Sequence, residues 1–361
     1  MQHDLVIGWD IGGAHVKAAR VEHGRVLDVV QWPCPLWQGL AELDTVLARA
    51  EERWPDFARA SHAVTMTGEM VDLFEHREAG VMALAQRLAG HLGDRVAFYA
   101  GPQRNGFWCA LGDVAAHWAR IASANWQATA QVVARRLSSA VLVDIGSTTT
   151  DLIPVRAGRI LARGADDAGR LRTGELVYQG VVRTPLCALT QRVGFRGATW
   201  NVMNEYFATT ADIYRLTGEL KPAHDQHPAA DGCGKDAEAT RRRLARMIGH
   251  DARDATDTEW NAFAHQWRDL QLAHLAANLT RVLAACAQSH DAVVVVAAGC
   301  GAFLGEAVAA SCGYEAVRFA TLIETRAEVA DWAQVCAPAA AVALLRAQAN
   351  ERARSACAAP A

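Results

Sequence analysis

One stretch of this chain occurs twice. Residues 10–27 read DIGGAHVKAARVEHGRVL, and residues 144–161 read DIGSTTTDLIPVRAGRIL. The two align without a gap and are identical at Asp10/Asp144, Ile11/Ile145, Gly12/Gly146, Val21/Val155, Gly24/Gly158, Arg25/Arg159 and Leu27/Leu161. Internal repetition means that one supersecondary unit is built twice, and any fold for this chain must accommodate both copies. In each, an apolar run (Leu5–Gly8; Val141–Val143) enters an Asp-Ile-Gly turn, and a second strand follows. His23-Gly24 and Ala157-Gly158 then turn the chain into a third strand, since glycine accepts the positive φ of a tight hairpin. Each half therefore opens with a β-meander.

Helical periodicity follows the meanders: Leu40–Trp54, Val81–Leu92 and one long element, Val114–Leu137, then Lys235–Gly249 and Glu259–Gln288. An apolar strand, Ala292–Ala298, enters Gly299-Cys300-Gly301 and a helix at Ala302–Ala310. The last helix, Ala327–Ala347, is expected to cross back to the first half. The pattern predicts an α/β chain of two duplicated halves with a ligand cleft between them. Residues 1–137 plus 325–350 form one half and 138–324 the other, and 351–361 are expected to be a disordered tail.

Composition narrows the class. At 361 residues, half of them hydrophobic, the chain can bury two cores, and its net charge of −3 gives no reason to expect nucleic acid or an anionic membrane. The basic run Arg241-Arg242-Arg243 reads as a solvated helix face. Nine cysteines lie scattered, none in a C-x-x-C spacing, which argues for reduced thiols rather than a zinc clip or a disulfide framework. Asp4 and Asp10 interrupt the first apolar stretch, so it does not read as a signal peptide. The apolar run Ala292–Gly305 is too short to span a bilayer. A cytoplasmic protein is expected, with self-association left open.

Three glycine-rich turns carry the chemistry. In Asp10-Ile11-Gly12-Gly13-Ala14-His15, small residues let backbone N–H groups approach phosphate oxygens, and a carboxylate at the strand end suits Mg²⁺. Asp144-Ile145-Gly146-Ser147-Thr148-Thr149-Thr150-Asp151 repeats this with hydroxyl donors. Ala297-Ala298-Gly299-Cys300-Gly301 runs from strand to helix N-terminus, suited to a planar or phosphorylated ligand. In this order the three resemble the two phosphate motifs and the adenosine motif of the actin/sugar-kinase/Hsp70 superfold. The resemblance implies a duplicated, two-domain actin-like ATPase fold. Lys17 stands where actin-like members carry a phosphate-contacting lysine, and its counterpart in the repeat is Asp151.

Further words are narrower. They are Met66-Thr67-Gly68-Glu69, Ala124-Asn125-Trp126-Gln127-Ala128-Thr129, Arg183-Thr184-Pro185-Leu186, Phe195-Arg196-Gly197, Asn204-Glu205-Tyr206-Phe207-Ala208-Thr209 and Ala230-Asp231-Gly232-Cys233-Gly234-Lys235-Asp236. With the run 144–151 they resemble a hydantoinase/oxoprolinase-related family linked to tetrahydromethanopterin one-carbon metabolism.

That resemblance implies a transferase in methanofuran or methylofuran biosynthesis that does not use ATP. It would join an aminomethylfuran-methyl diphosphate to the phenol oxygen of a tyramine or tyrosine derivative and release pyrophosphate. Asp10 and Asp144 would then hold Mg²⁺. Gly12, Gly13, Gly146, Ser147, Thr148, Thr149, Gly299, Gly301 and Lys235 would contact the diphosphate. Asp151 is the first candidate for the base that takes the phenol proton and Glu69 the second, because a phenol with pKa near ~10 needs one. Lys17 would face phosphate, Asn125, Trp126 and Arg183 the substrates. Each has a plainer reading: core packing for Trp126, ion pairs for Arg183 and Arg196, a helix N-cap for Asp236. The rival reading from another reaction class is an ATP-dependent small-molecule kinase using the same aspartates.

Overall fold

A computed structural model describes residues 5–103, 106–286 and 293–358. The chain separates into two compact units. The first holds the residues up to Ser138, the hairpin tip Val155–Ile160 and the residues from Phe319 onward. The second holds Ser139–Pro154 and Leu161–Arg318.

The first unit opens with the meander β1 (Leu5–Ile11), β2 (His15–Glu22) and β3 (Arg25–Pro33). There follow α1 (Ala41–Arg53), β4 (Ser61–Met66), α2 (Arg77–Leu92), β5 (Val96–Tyr99), β6 (Trp108–Cys109), α3 (Val114–Ile121) and α4 (Asn125–Arg136). Its sheet runs β3-β2-β1-β4-β5-β6, with β1, β4 and β5 parallel.

The second meander repeats the plan with β7 (Ser139–Ile145), β8 (Thr150–Arg156) and β9 (Arg159–Ile160), the strands running in the second unit and their hairpin tip, with β9, counted in the first. Then come α5 (Asp167–Thr173), β10 (Leu176–Val177), β11 (Arg192–Phe195), β12 (Ala198–Asn201), α6 (Thr210–Leu216), α7 (Ala237–Arg246) and α8 (Asp257–Ala285). Strand β13 (Val294–Ala298), α9 (Ala302–Ser311) and β14 (Glu315–Arg318) complete it, and α10 (Ala330–Val335) and α11 (Ala337–Ala358) return to the first unit. The second sheet runs β10-β8-β7-β13-β14, with β9 on β8, and β13 is parallel to both its neighbours. Strands β1 and β7 thus hold the same place in two sheets of the same design.

Strand β1 is buried along its whole length, which demands cover on both faces. On one face Trp9 stands edge-on to Trp54 and Phe57 within a core that includes Ile7, Ile11, Leu43, Val64 and Leu84. On the other, a Cβ at Gly8 would stand 2.7 Å from the Ala343 Cβ and would also collide with the Ala339 carbonyl. Only glycine permits so close an approach, and α11 answers with buried alanines at 339, 340, 341 and 343. In the second unit Val141, Val143 and Ile145 share a core with Trp260, Phe263 and Trp267 of α8.

Several expectations need correction. The helix expected over 114–137 is two helices, broken where Ser123 takes φ 50°. Helix α8 begins earlier than expected because Thr256 and Glu259 form a capping box, while Gln288 and Ala292 lie outside the described residues. The last helix is broken at Cys336 with a bend of 108°, and α11 continues to Ala358 where a tail was expected. Arg243 is no solvated residue: it is fully buried on Asp212 (2.8 Å) and Asp231 (3.1 Å). Arg196 pairs with Glu259 at 2.7 Å, and Asp236 caps α7 by accepting from the Ala239 amide. The described cysteines are free thiols, and no single described helix is long and apolar enough to cross a membrane.

One titration bears on stability. The Trp9 indole donates to His62 Nδ1 at 3.2 Å, and burial pushes the imidazole down to about 4. The unfolded chain protonates near the ordinary value of about 6.5, so stability from this group is full above that pH and declines as the pH falls toward 4. The loss by pH 4 should reach about 3 kcal/mol. Urea denaturation of wild type and His62→Gln at pH 7 and pH 4.5 should show a shallower acid decline in the variant.

Candidate active site

The first turn is a narrow hairpin closed by Gly12 N–H donating to the His15 carbonyl at 3.0 Å. A neighbouring segment ties down its other carbonyls: Leu36 N–H donates to Gly13 (3.1 Å) and Cys34 N–H to Ala14 (2.9 Å). The amides of Gly13 and Ala14 meet no acceptor among the described residues, which leaves a concavity of N–H groups for an anion. At the end of β1, Asp10 Oδ2 accepts from Lys17 Nζ at 3.1 Å. Asp10 Oδ1 is buried with no hydrogen-bond partner, and so is Oγ1 of Thr65, its register partner on β4. Two buried oxygens without partners on adjacent strands fit the ligand set of a hard cation or an ordered water.

The second turn repeats the device. Gly146 N–H donates to the Thr149 carbonyl at 2.9 Å, Val181 N–H reaches the Gly146 carbonyl (3.1 Å), and Val182 and Arg183 N–H both reach Ser147 (3.1 and 2.8 Å). The amides of Ser147, Thr148 and Thr149 meet no acceptor among the described residues. Arg183 Nη1 lies 3.4 Å from Thr148 Oγ1, so a guanidinium stands beside this second concavity. The third turn packs against it. Gly299, at φ 81°, comes so near the second turn that a Cβ would stand 2.6 Å from Asp144 Oδ1 and would strike the Ile145 carbonyl. Gly301 N–H donates to that same carbonyl at 2.8 Å. Asp144, Gly146, Thr148, Gly299 and Gly301 thus form one cluster.

The candidate bases differ in their surroundings. Asp151 is bound directly by the buried guanidinium of Arg170, which Asp167 also approaches. Glu69, 1 % exposed, accepts from Ser123 Oγ at 2.7 Å and has Arg77 at 3.5 Å. It lies next to the first turn, because Thr67 N–H donates to the Ile11 carbonyl and Gly68 packs on Gly12. Asn125 begins α4 two residues beyond Ser123, and Trp126 is buried in the packing. Lys235 is held by Asp225, through its carbonyl (2.5 Å) and carboxylate (3.2 Å), and Asp225 is gripped by Arg215. Burial, with Arg183 and Lys235 nearby, pushes His227 below its ordinary value. Among the described residues no group of three or more His, Cys, Asp or Glu side chains is placed to hold a metal ion. A hard cation at Asp10 would complete its shell with water and phosphate oxygens, as Mg²⁺ does.

Sequence reasoning missed Ser123, Arg77 and Arg170. None stands in a motif, and each matters only through what folding brings to it.

A family model described as Hydantoinase/oxoprolinase matches residues 61–348. The chain belongs to this family. It is 32% identical over 263 residues to the (4-{4-(2-(gamma-L-glutamylamino)ethyl)phenoxymethyl}furan-2-yl)methanamine synthase of Methanocaldococcus jannaschii, covering 73% of this chain and 77% of that one. The synthase of the same name from Methanococcus vannielii is 31% identical over 142 residues, 39% of this chain and 64% of its own. Among solved structures, nucleotide-free acetone carboxylase superposes with a TM-score of 0.53 at 12% identity, covering 94% of this chain and 70% of that one. The two sheets of one design, each opened by a glycine turn, give this family member a duplicated actin-like fold.

Gly299 tests the packing of the turns. Gly299→Ala must accept a strained φ and force Ile145 and Asp144 aside, so it should lose about 2 kcal/mol or more of stability in urea denaturation. Gly313→Ala, also at positive φ but with open space around it, should lose less.

Proposed function

We propose that this chain joins the methylene carbon of an aminomethylfuran-methyl diphosphate to the phenol oxygen of a tyramine or tyrosine derivative, releasing pyrophosphate. One observation carries the reading. The relative at 32% identity over 73% of the chain is named for a product containing a phenoxymethyl-furan, the aryl ether such a condensation makes.

The residues suit that chemistry. Negative charge grows on the diphosphate as its C–O bond breaks, and the amides of either concavity, fixed in place beforehand, can stabilise it. Electron release from the furan ring spreads the positive charge on the departing carbon. Mg²⁺, if held at Asp10 through the oxygen that lacks a partner, would neutralise part of the diphosphate charge and ease its departure. Asp144 is the equivalent carboxylate of the second unit. Lys17 keeps the Asp10 side chain in place and adds a positive charge beside the first turn. In the second unit Arg183, beside Thr148, and Lys235 add positive charge to attract a phosphate or the acceptor's carboxylate. For the base, Glu69 is favoured over Asp151, whose carboxylate is already engaged by Arg170.

Purified protein, a furfuryl-type diphosphate, Mg²⁺ and one of tyramine, glutamyl-tyramine or tyrosine should yield an aryl ether and pyrophosphate by mass spectrometry. Hydrolysed furan alcohol alone with every acceptor would overturn the proposal. Tight ATP·Mg²⁺ binding in a calorimetric titration, with phosphoryl transfer to a small molecule, would favour the kinase instead. Asp10→Asn and Asp144→Asn should each lower kcat/KM by about 100-fold or more while leaving the circular dichroism spectrum unchanged. Near-normal activity in either would remove that carboxylate from the site.

A further inference from the structure

Ser123 has a left-handed backbone, φ 50°. The other described non-glycine residues with positive φ are His23, Ala157 and Arg196, and each precedes a glycine in a hairpin turn. Ser123 has no such turn to form. It stands between α3 and α4, where the helical pattern would otherwise run on, and the conformation costs free energy that something must offset.

The kink brings one hydroxyl between a buried carboxylate and a part-exposed guanidinium. Ser123 Oγ donates to Glu69 Oε1 at 2.7 Å and accepts from Arg77 Nη2 at 3.2 Å. Because Arg77 donates to Oγ, the hydroxyl's own hydrogen is directed at Glu69. Glu69 is 1 % exposed and Ser123 5 %, whereas Met70, whose Sδ is 3.9 Å from Ser123 Oγ, is 52 % exposed. The hydroxyl therefore touches both a carboxylate closed to solvent and the sulfur of a surface side chain. The same segment carries Val71, which packs on Gly13 of the first turn.

We infer that Ser123 is the relay through which Glu69 takes the acceptor's proton. The inference rests on the condensation proposed above. The phenol oxygen forms its bond to the furfuryl carbon as its proton passes to Ser123 Oγ and the Ser123 proton passes to Glu69 Oε1. The carbon–oxygen bond to the diphosphate breaks, and its electron pair leaves on pyrophosphate. Arg77 orients the hydroxyl, and Met70 lies where an aromatic ring can meet its sulfur. The strained backbone sets the hydroxyl at hydrogen-bond distance before the substrate arrives.

Two substitutions separate this role from a mere helix break. Ser123→Gly removes the hydroxyl and relieves the strain, while Ser123→Ala removes the hydroxyl and keeps it. Both should lose about 100-fold in kcat with KM changed less than about threefold, as expected for lost acid–base catalysis. Their melting temperatures should move apart, Ser123→Gly melting above Ser123→Ala. Wild-type kcat in Ser123→Gly would overturn the relay and leave the condensation standing. Thermal melts of Ser123→Gly, Glu69→Gln and the double variant give a readout that needs no substrate: their shifts should be non-additive, and strict additivity would overturn the contact. A wild-type protein that forms no ether removes the condensation and the relay together, an outcome distinct from loss of the relay alone.

Discussion

A turn can offer its amides to a ligand only if its carbonyls have been given somewhere else to go. That constraint governs both glycine turns. Leu36 and Cys34 take the carbonyls of Gly13 and Ala14, and Val181, Val182 and Arg183 take those of Gly146 and Ser147. Once the oxygens are fixed, the N–H groups are oriented before any anion arrives, and their dipoles need no reorganisation. The hydrogen bonds involved are ordinary in length and individually modest in free energy. Their importance is directional. Gly299 and Gly301 rest on the second turn, so the third glycine motif inherits its position from the same bonds.

The halves of this device differ in legibility. The Asp-Ile-Gly repeat was readable because a strand, a glycine turn and a second strand are local, and glycine at a hairpin has a backbone reason visible in one sequence. The two clasping segments were not readable, since nothing in Cys34-Pro35-Leu36 or Val181-Val182-Arg183 announces which carbonyls they will meet. Ser123 was hidden for a related reason. It sits in Ala122-Ser123-Ala124, three small residues that fit a helix, with no glycine or proline to mark the break. The apolar spacing on either side continued the helical pattern across it. Asp151 looked available as a base because Arg170 is nineteen residues away in sequence yet lies against it in the fold.

The second unit also buries an ionic network that composition concealed. Asp212 meets Arg215 and Arg243 at 2.8 Å each, Arg243 continues to Asp231, and Arg215 continues to Asp225, which holds Lys235. Such a network contributes little net stability, because desolvation opposes the attraction, but breaking one member leaves a buried charge uncompensated. Here it fixes the loop that carries Lys235 relative to α6 and α7. The lysine expected to contact the diphosphate is tethered, with its ammonium position set by the Asp225 carbonyl and carboxylate.

Gly8 and α11 have a consequence for how the chain comes to be folded. Strand β1 is covered on one face by residues 339–343, which leave the ribosome long after it. Until they emerge, β1 has an apolar face and a bare glycine with nothing against them. The second unit is bracketed by the first in sequence and has its own core, so it can be finished while the first waits. A ribosome that stalls or terminates before residue 337 would release a chain with one sound unit and one exposed sheet. The very short side chains that let helix and strand touch also make this long-range closure intolerant of bulk. Fast synthesis of α11, or shielding of the first sheet until α11 arrives, would limit that exposure.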